Sequence, residues 1–234
     1  EEEVMRTLGL LGGMSWESTV PYYRVINERV RERLGGLHSA KLLLHSVDFA
    51  QIEALQRSGD WHAAGELLAD AARGLRLAGA DAIVLCTNTM HLVAPAIEAA
   101  VDVPLLHIAD VTAQRIRAAG LDRVALLGTR FTMEQRFYRE RIEAAGIGVS
   151  VPNAAQRERV HRVIYDELCL GRILDASRDD YRAIVADLIA DGAQGVILGC
   201  TEIGLLVTAG DADVPLFDTA RIHAEAAADW AMAG

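Results

Sequence analysis

Short apolar runs closed by glycine or a small polar residue alternate along this chain with longer stretches. In the longer stretches apolar residues recur every third or fourth position. The first kind reads as buried strands, the second as helices packed on them. Strands are predicted at residues 6–11, 41–47, 82–86, 105–108, 124–127, 148–151 and 196–198. Helices are predicted from Ser15 or Trp16, at 49–57 with Asp48 as N-cap, and at 61–78, 132–145, 157–170, 179–191 and 219–232. Strand and helix in alternation imply an α/β fold of parallel sheets with helices on both faces.

The order restarts partway. Gly9-Leu10-Leu11-Gly12 resembles Ala125-Leu126-Leu127-Gly128, the 82–87 segment resembles 195–201, and Val103-Pro104-Leu105-Leu106 resembles Val214-Pro215-Leu216-Phe217. The three matches keep their order and recur roughly 110–120 positions later, the mark of a duplication. The expectation is two similar parallel-sheet domains related by a pseudo-two-fold, one of residues 4–112 plus 216–234 and the other of 113–215. The last helix would return to the first. Ligands of open parallel sheets bind beyond the strand C-termini, so the active site is expected in the cleft between the halves.

Composition narrows the function. The chain has 234 residues, of which 51% are hydrophobic, enough to bury sizeable cores. Its formal net charge of −10 and the lack of a basic tract argue against nucleic acid and anionic membrane surfaces. No run is long enough to span a bilayer, and no secretory pattern precedes Thr7. Three cysteines in that context point to reduced thiols in the cytoplasm. The single lysine, Lys41, lies outside any cofactor-binding pattern, which disfavours pyridoxal phosphate. The histidines lack metal-ligand spacing, and no G-x-S-x-G, G-x-G-x-x-G or Walker sequence occurs.

Candidate chemistry sits at the strand ends. Cys86-Thr87 and Cys200-Thr201 each follow a buried strand, where the start of the next helix would favour a thiolate. A lone strand-end cysteine is usually an inert core residue. Two at equivalent places in a duplicated chain suggest opposed reactive groups. Cys169 lacks this context and reads as structural. Gly12-Gly13-Met14-Ser15 and Gly128-Thr129-Arg130-Phe131-Thr132 open helices and could present N–H groups to an anion, or could simply make tight turns.

Gly9-Leu10-Leu11-Gly12-Gly13-Met14-Ser15-Trp16-Glu17-Ser18-Thr19, Cys86-Thr87-Asn88-Thr89-Met90-His91 and Gly199-Cys200-Thr201-Glu202 together resemble the aspartate/glutamate racemase superfamily. Within it the chain is most similar to bacterial amino-acid racemases of aspartate/glutamate or broader specificity. The resemblance spans essentially the whole chain. It implies a cofactor-independent homodimer that exchanges the α-proton of an amino acid between two opposed acid/base groups, with no metal. Relatives carry Cys-Asn-Thr-Ala-His at the first site. Aligning Asn88-Thr89-Met90-His91 with that motif puts Thr87 at the catalytic position, whereas the internal repeat would put Cys86 there. Neighbours on a strand face opposite ways, and the asparagine-threonine register, being the more constrained, favours Thr87.

The resemblance thus implies Thr87 and Cys200 as catalytic residues, with substrate contacts from Met14, Gln51, Asn88, Thr89, Thr129, Thr132, Thr201 and Glu202. The arginine and lysine that clamp a distal carboxylate in aspartate racemases are replaced here, by Phe49 or Ala50 and by Cys169. Gln51 is expected to substitute by hydrogen bonding, so strict aspartate specificity is not expected. Other readings are a one-thiol decarboxylase or maleate-type isomerase of the same superfamily, and a non-catalytic small-acid-binding protein.

Overall fold

The computed structural model describes residues 5–233, so the expected outer domain bounds at 4 and 234 lie outside it. In chain order the first elements are β1 (Leu8–Gly12), α1 (Trp16–Leu34), β2 (Leu42–Ser46), α2 (Phe49–Ser58), α3 (Trp61–Leu77), β3 (Ala82–Leu85) and α4 (Ala94–Ala100). There follow α5 (Ile108–Ala118), β4 (Arg123–Gly128), α6 (Arg130–Glu134), α7 (Arg136–Ala144), β5 (Gly148–Ser150) and α8 (Ala154–Asp166). The last are α9 (Asp175–Ala190), β6 (Val196–Gly199), α10 (Ile203–Leu206), β7 (Leu216–Asp218) and α11 (Thr219–Met232). The fold is α/β with two parallel sheets, of order β2-β1-β3 and β5-β4-β6-β7. Two compact units result: one runs through His107 and resumes at His223, the other is Ile108–Ile222.

In the second unit the strand alternation is explicit. Ala125, Leu127, Val196 and Leu198 pack with Val160, Ile164, Tyr181 and Val185 of α8 and α9 on one face. Val124, Leu126 and Ile197 pack with Ala113, Ile116, Tyr138 and Ile142 of α5 and α7 on the other. Each buried leucine or isoleucine contributes about 1.5–3 kcal/mol, so both faces of the sheet must be covered.

The first unit buries Leu11, Ile83 and Leu85 against Leu68, Ala72 and Leu75 of α3. The helix and the turn after it lie so close that a Cβ on Gly9 would stand 2.8 Å from the Ala80 Cβ and 3.2 Å from that of Leu75. The unit is completed by α11. Its Asp229 takes both Nε and Nη2 of Arg29 at 2.9 Å, and the Arg6 N–H donates to the Ala231 carbonyl at 3.0 Å. His223 Nε2 donates to the Leu106 carbonyl at 2.6 Å, which leaves Nδ1 to accept from the Tyr22 hydroxyl at 2.8 Å. Burial holds the His223 pKa down to about 4, so the ring is neutral at physiological pH.

Four expected elements differ in the structure, and α4, α5, α10 and β7 are additional to the expectation. The 105–108 run makes one bridge, Ile83 to Leu105, because Ile108 and Ala109 turn inward as the first residues of α5. The 132–145 helix is two helices, interrupted at Gln135, whose backbone is extended. The 157–170 helix starts earlier, at Ala154, because Asn153 and Gln156 form a reciprocal capping box. It stops at Asp166, before a 3-10 turn at Leu168–Leu170 that carries Cys169. The 179–191 helix begins four residues earlier than expected, at Asp175.

Candidate active site

Both sheets end their strands in turns of buried polar residues. In the first unit, β1 and β3 are parallel neighbours, so the turn after Gly12 and the turn after Leu85 emerge side by side. Gly13 has φ +89°, a conformation glycine adopts without strain. Its N–H donates to Thr19 Oγ1 at 2.9 Å, and Thr19 in turn donates to the Ser15 carbonyl. That amide is therefore engaged within the turn. Met14 is buried in the core beside α3.

After β3 the chain bends at once. The Cys86 N–H donates to the Leu11 carbonyl and the Thr87 N–H to the Leu85 carbonyl, both at 2.9 Å. Cys86 is 0% exposed, and its thiol donates to the Val84 carbonyl at 3.5 Å. Thr87 retains 7% exposure. Its carbonyl accepts from His91 Nδ1 at 2.6 Å, which fixes the proton on that nitrogen because a carbonyl only accepts. The His91 ring packs 4.3 Å from that of His107 and 6.0 Å from that of His223, centroid to centroid. Among the described residues no group of histidine, cysteine, aspartate and glutamate is arranged to hold a metal. Asn88 and Thr89 are buried in the same turn, whereas Gln51 is exposed on the first turn of α2.

The second unit repeats the arrangement with β4 and β6 as neighbours. Thr129 caps α6, its Oγ1 accepting from the Thr132 N–H at 3.3 Å and lying 3.3 Å from Thr132 Oγ1. The Arg130 N–H donates to His161 Nδ1 at 3.1 Å. Burial first, and Arg130 second, hold His161 below its ordinary pKa. Cys200 follows β6 with 7% exposure, the same as Thr87. Its thiol donates to Glu202 Oε2 at 2.9 Å, and Thr201 Oγ1 donates to that same oxygen at 3.1 Å. Glu202 is 2% exposed.

The expected thiolates are not what these turns stabilise. Cys86 is followed by a 3-10 turn (Thr89–Val93) and Cys200 by the four-residue α10, so neither meets the end of a long helix dipole. Burial pushes the Cys86 thiol far up. Cys200 is raised well above its ordinary value by burial first and by the negative charge of Glu202 second. Both cysteines rest as thiols. The role sequence reasoning missed is that of Glu202, whose carboxylate is held by Cys200 and Thr201. The signal was the cysteine-x-glutamate spacing just past a buried strand.

Comparison with known proteins agrees with this fold. The chain is similar to a candidate Asp/Glu racemase from Yersinia pestis of known structure, at 61% identity and TM-score 0.89 over 97% of this chain and 99% of that one. It is similar to an aspartate racemase homologue from Pyrococcus horikoshii OT3, at 36% identity and TM-score 0.82 over 97% and 99%. The broad specificity amino-acid racemase RacX of Bacillus subtilis (strain 168) is 21% identical over 93% of this chain and 95% of its own. The family model for Asp/Glu/hydantoin racemases matches residues 11–227. With parallel sheets, duplicated strand-end turns and that match, the chain belongs to the Asp/Glu/hydantoin racemase family.

Proposed function

We propose that this isomerase interconverts the L- and D-forms of aspartate, glutamate or a broader set of amino acids without a cofactor. Cys200 as thiolate takes the α-proton from one face, and Thr87 returns a proton from the other. The observation that carries the reading is the matched placement of Cys200 and Thr87. Thr87 comes after β3, which pairs with β1, and Cys200 after β6, which pairs with β4; each keeps 7% exposure among buried neighbours, and Cys86 keeps none. The Yersinia relative supports acidic substrates, and RacX supports a wider range. The substrate α-carboxylate is assigned to the buried Asn88, Thr89 and Thr201, with Met14, Gln51, Thr129 and Thr132 around the substrate. As charge moves onto that carboxylate in the carbanion, each fixed donor contributes about 3 kcal/mol to lowering the barrier.

A threonine hydroxyl is a much weaker base than a thiolate, yet it does not make the enzyme one-way. Free enantiomers have equal energy, so kcat/KM is equal in both directions and the weak group slows both. The enzyme is expected to be slow. The test is proton NMR of L-aspartate, L-glutamate and L-homoserine in D2O, with Cys200→Ser as control. Loss of an α-proton signal that falls by about 10²–10⁴-fold in the variant supports the reading. No exchange by folded protein with any of the three refutes it.

We also place the protein in the cytoplasm as a homodimer. None of its three cysteines is in a disulfide, which suits a reducing compartment. Trp16, Val20 and Tyr23 are exposed at helical spacing on α1, a strip suited to a second copy. Sedimentation velocity showing a monomer at micromolar concentration would overturn the dimer. Among the described residues no helix is long and apolar enough to cross a membrane.

A further inference from the structure

The chain leaves β3 through a bend that buries Cys86 completely and leaves Thr87 7% exposed. Two ties hold that bend. On the N-terminal side the Thr87 N–H donates two residues back, to the Leu85 carbonyl at 2.9 Å. On the C-terminal side the usual donor is diverted. In an α-helix the Thr87 carbonyl would accept the backbone N–H four residues on. That N–H belongs to His91, and because the Thr89–Val93 turn is 3-10 it goes to the Asn88 carbonyl instead, at 3.0 Å. The His91 side chain supplies a replacement, Nδ1 donating to the Thr87 carbonyl at 2.6 Å. His91 is 2% exposed. Its ring packs on that of His107 and lies near that of His223, which is itself pinned to the Leu106 carbonyl.

We propose that His91 is the positioning residue of Thr87: its ring holds the Thr87 peptide so that the threonine hydroxyl, and not the Cys86 thiol, is presented to the substrate. The inference rests on the reading of Thr87 as one of the two acid/base groups. His91 acts through the Thr87 carbonyl and moves no proton. Adjacent residues of an extended segment project to opposite sides, so the rotation of this one peptide decides which side chain is offered. A hydroxyl is a poor carrier of protons, and its contribution depends on distance and direction to the substrate Cα. Misplacing a reacting group by about 1 Å costs about a hundredfold in rate.

The chemistry of the bond sets the choice of variants. Asparagine carries its amide nitrogen as many bonds from the backbone as Nδ1 of histidine, and so keeps a donor for the Thr87 carbonyl. Glutamine carries its own one bond further out, in the place of Nε2, and does not. The other groups around the ring, His107 and His223, are retained in both variants.

The two faces of the reaction can be read apart. In D2O the Cys200 face alone can remove the α-proton of one enantiomer and return a deuteron to the same side. Inversion needs both faces. Exchange is followed by proton NMR and inversion by chiral chromatography, for wild type, His91→Asn and His91→Gln. The glutamine variant is expected to lose about tenfold or more in kcat for inversion, with KM little changed, while exchange with retention at Cys200 persists. The asparagine variant is expected to stay within about threefold of wild type in both. Equal losses of inversion and exchange in His91→Gln would make the ring a general support and overturn the proposal. An asparagine variant as slow as the glutamine variant would do the same. A third readout needs no variant: the ring-nitrogen NMR spectrum of wild type should show Nδ1 protonated and Nε2 bare. A ring protonated at Nε2 alone would overturn the brace. Absence of exchange and inversion in wild type is a failure of the racemase reading instead, told apart from failure of the brace by that spectrum.

Discussion

Acid should weaken this protein through one histidine. In the native state His223 is a neutral ring, fully buried, donating to the Leu106 carbonyl and accepting from Tyr22, with a pKa held at about 4. Unfolded, it titrates near the ordinary value of about 6.5. Between those values the unfolded chain binds a proton that the native protein refuses, so stability falls as pH falls. Its contribution is complete above about 6.5 and has been lost once pH reaches about 4. The whole difference is about 3 kcal/mol, of which about 2.5 kcal/mol is gone at pH 4.5. Carboxylates titrate in the same range, so the measurement must be differential. Urea unfolding of wild type and His223→Gln at pH 7.5 and 4.5 isolates the histidine. The variant is expected to be weaker at pH 7.5 but to lose about 2.5 kcal/mol less than wild type on acidification. Equal acid losses in the two proteins would refute the assignment of a neutral buried ring.

Thr87→Cys should raise kcat/KM for both enantiomers by the same factor, about tenfold or more, because a thiol replaces a poor acid/base. No gain in a folded variant would remove Thr87 from the mechanism. Cys86→Ala should leave α-proton exchange within about twofold of wild type while lowering stability by about 1 kcal/mol, the loss of one buried sulfur. An activity loss comparable to that of Cys200→Ser would make Cys86 the reactive residue. Gly9→Ala should destabilise the protein by about 1–3 kcal/mol in chemical denaturation, since its Cβ would meet the Ala80 Cβ at 2.8 Å and the Leu75 Cβ at 3.2 Å, atoms that move only with their backbone. A neutral result would mean that α3 and the turn after it can shift away from β1.

Much of the fold was legible because its central strands β1, β3, β4 and β6 are buried on both faces and so read as unbroken apolar runs that end in, or run into, glycine or cysteine. Asp48 was legible as a cap because a short acceptor precedes an apolar-periodic stretch, and its side chain does accept from the Ala50 N–H. The interruption at Gln135 was not, since Glu134-Gln135-Arg136 contains neither proline nor glycine. The 105–108 run misled because Ile108 satisfies a strand and the inward face of α5 equally well. At the site, residue types and order were readable, but ionisation was not. A cysteine at a strand end suggests a helix dipole, and only the structure shows how short the following helices are and that a buried carboxylate faces Cys200. The packing of His91, His107 and His223 is likewise a product of the fold, since the three lie on separate segments.

The return of α11 to the first unit sets an order of assembly. Arg6, Tyr22 and Arg29 lie near the start of the chain, but their partners Ala231, His223 and Asp229 lie near its end. At typical synthesis rates the ribosome needs about ten seconds to pass from residue 108 to residue 223. During that interval the second unit, which is one continuous segment, can close on its own strands. The first must wait with the buried side of α1 and the Leu106 carbonyl uncovered. The half that is made first is finished last, and a nascent chain stalled in between is the form most in need of a chaperone.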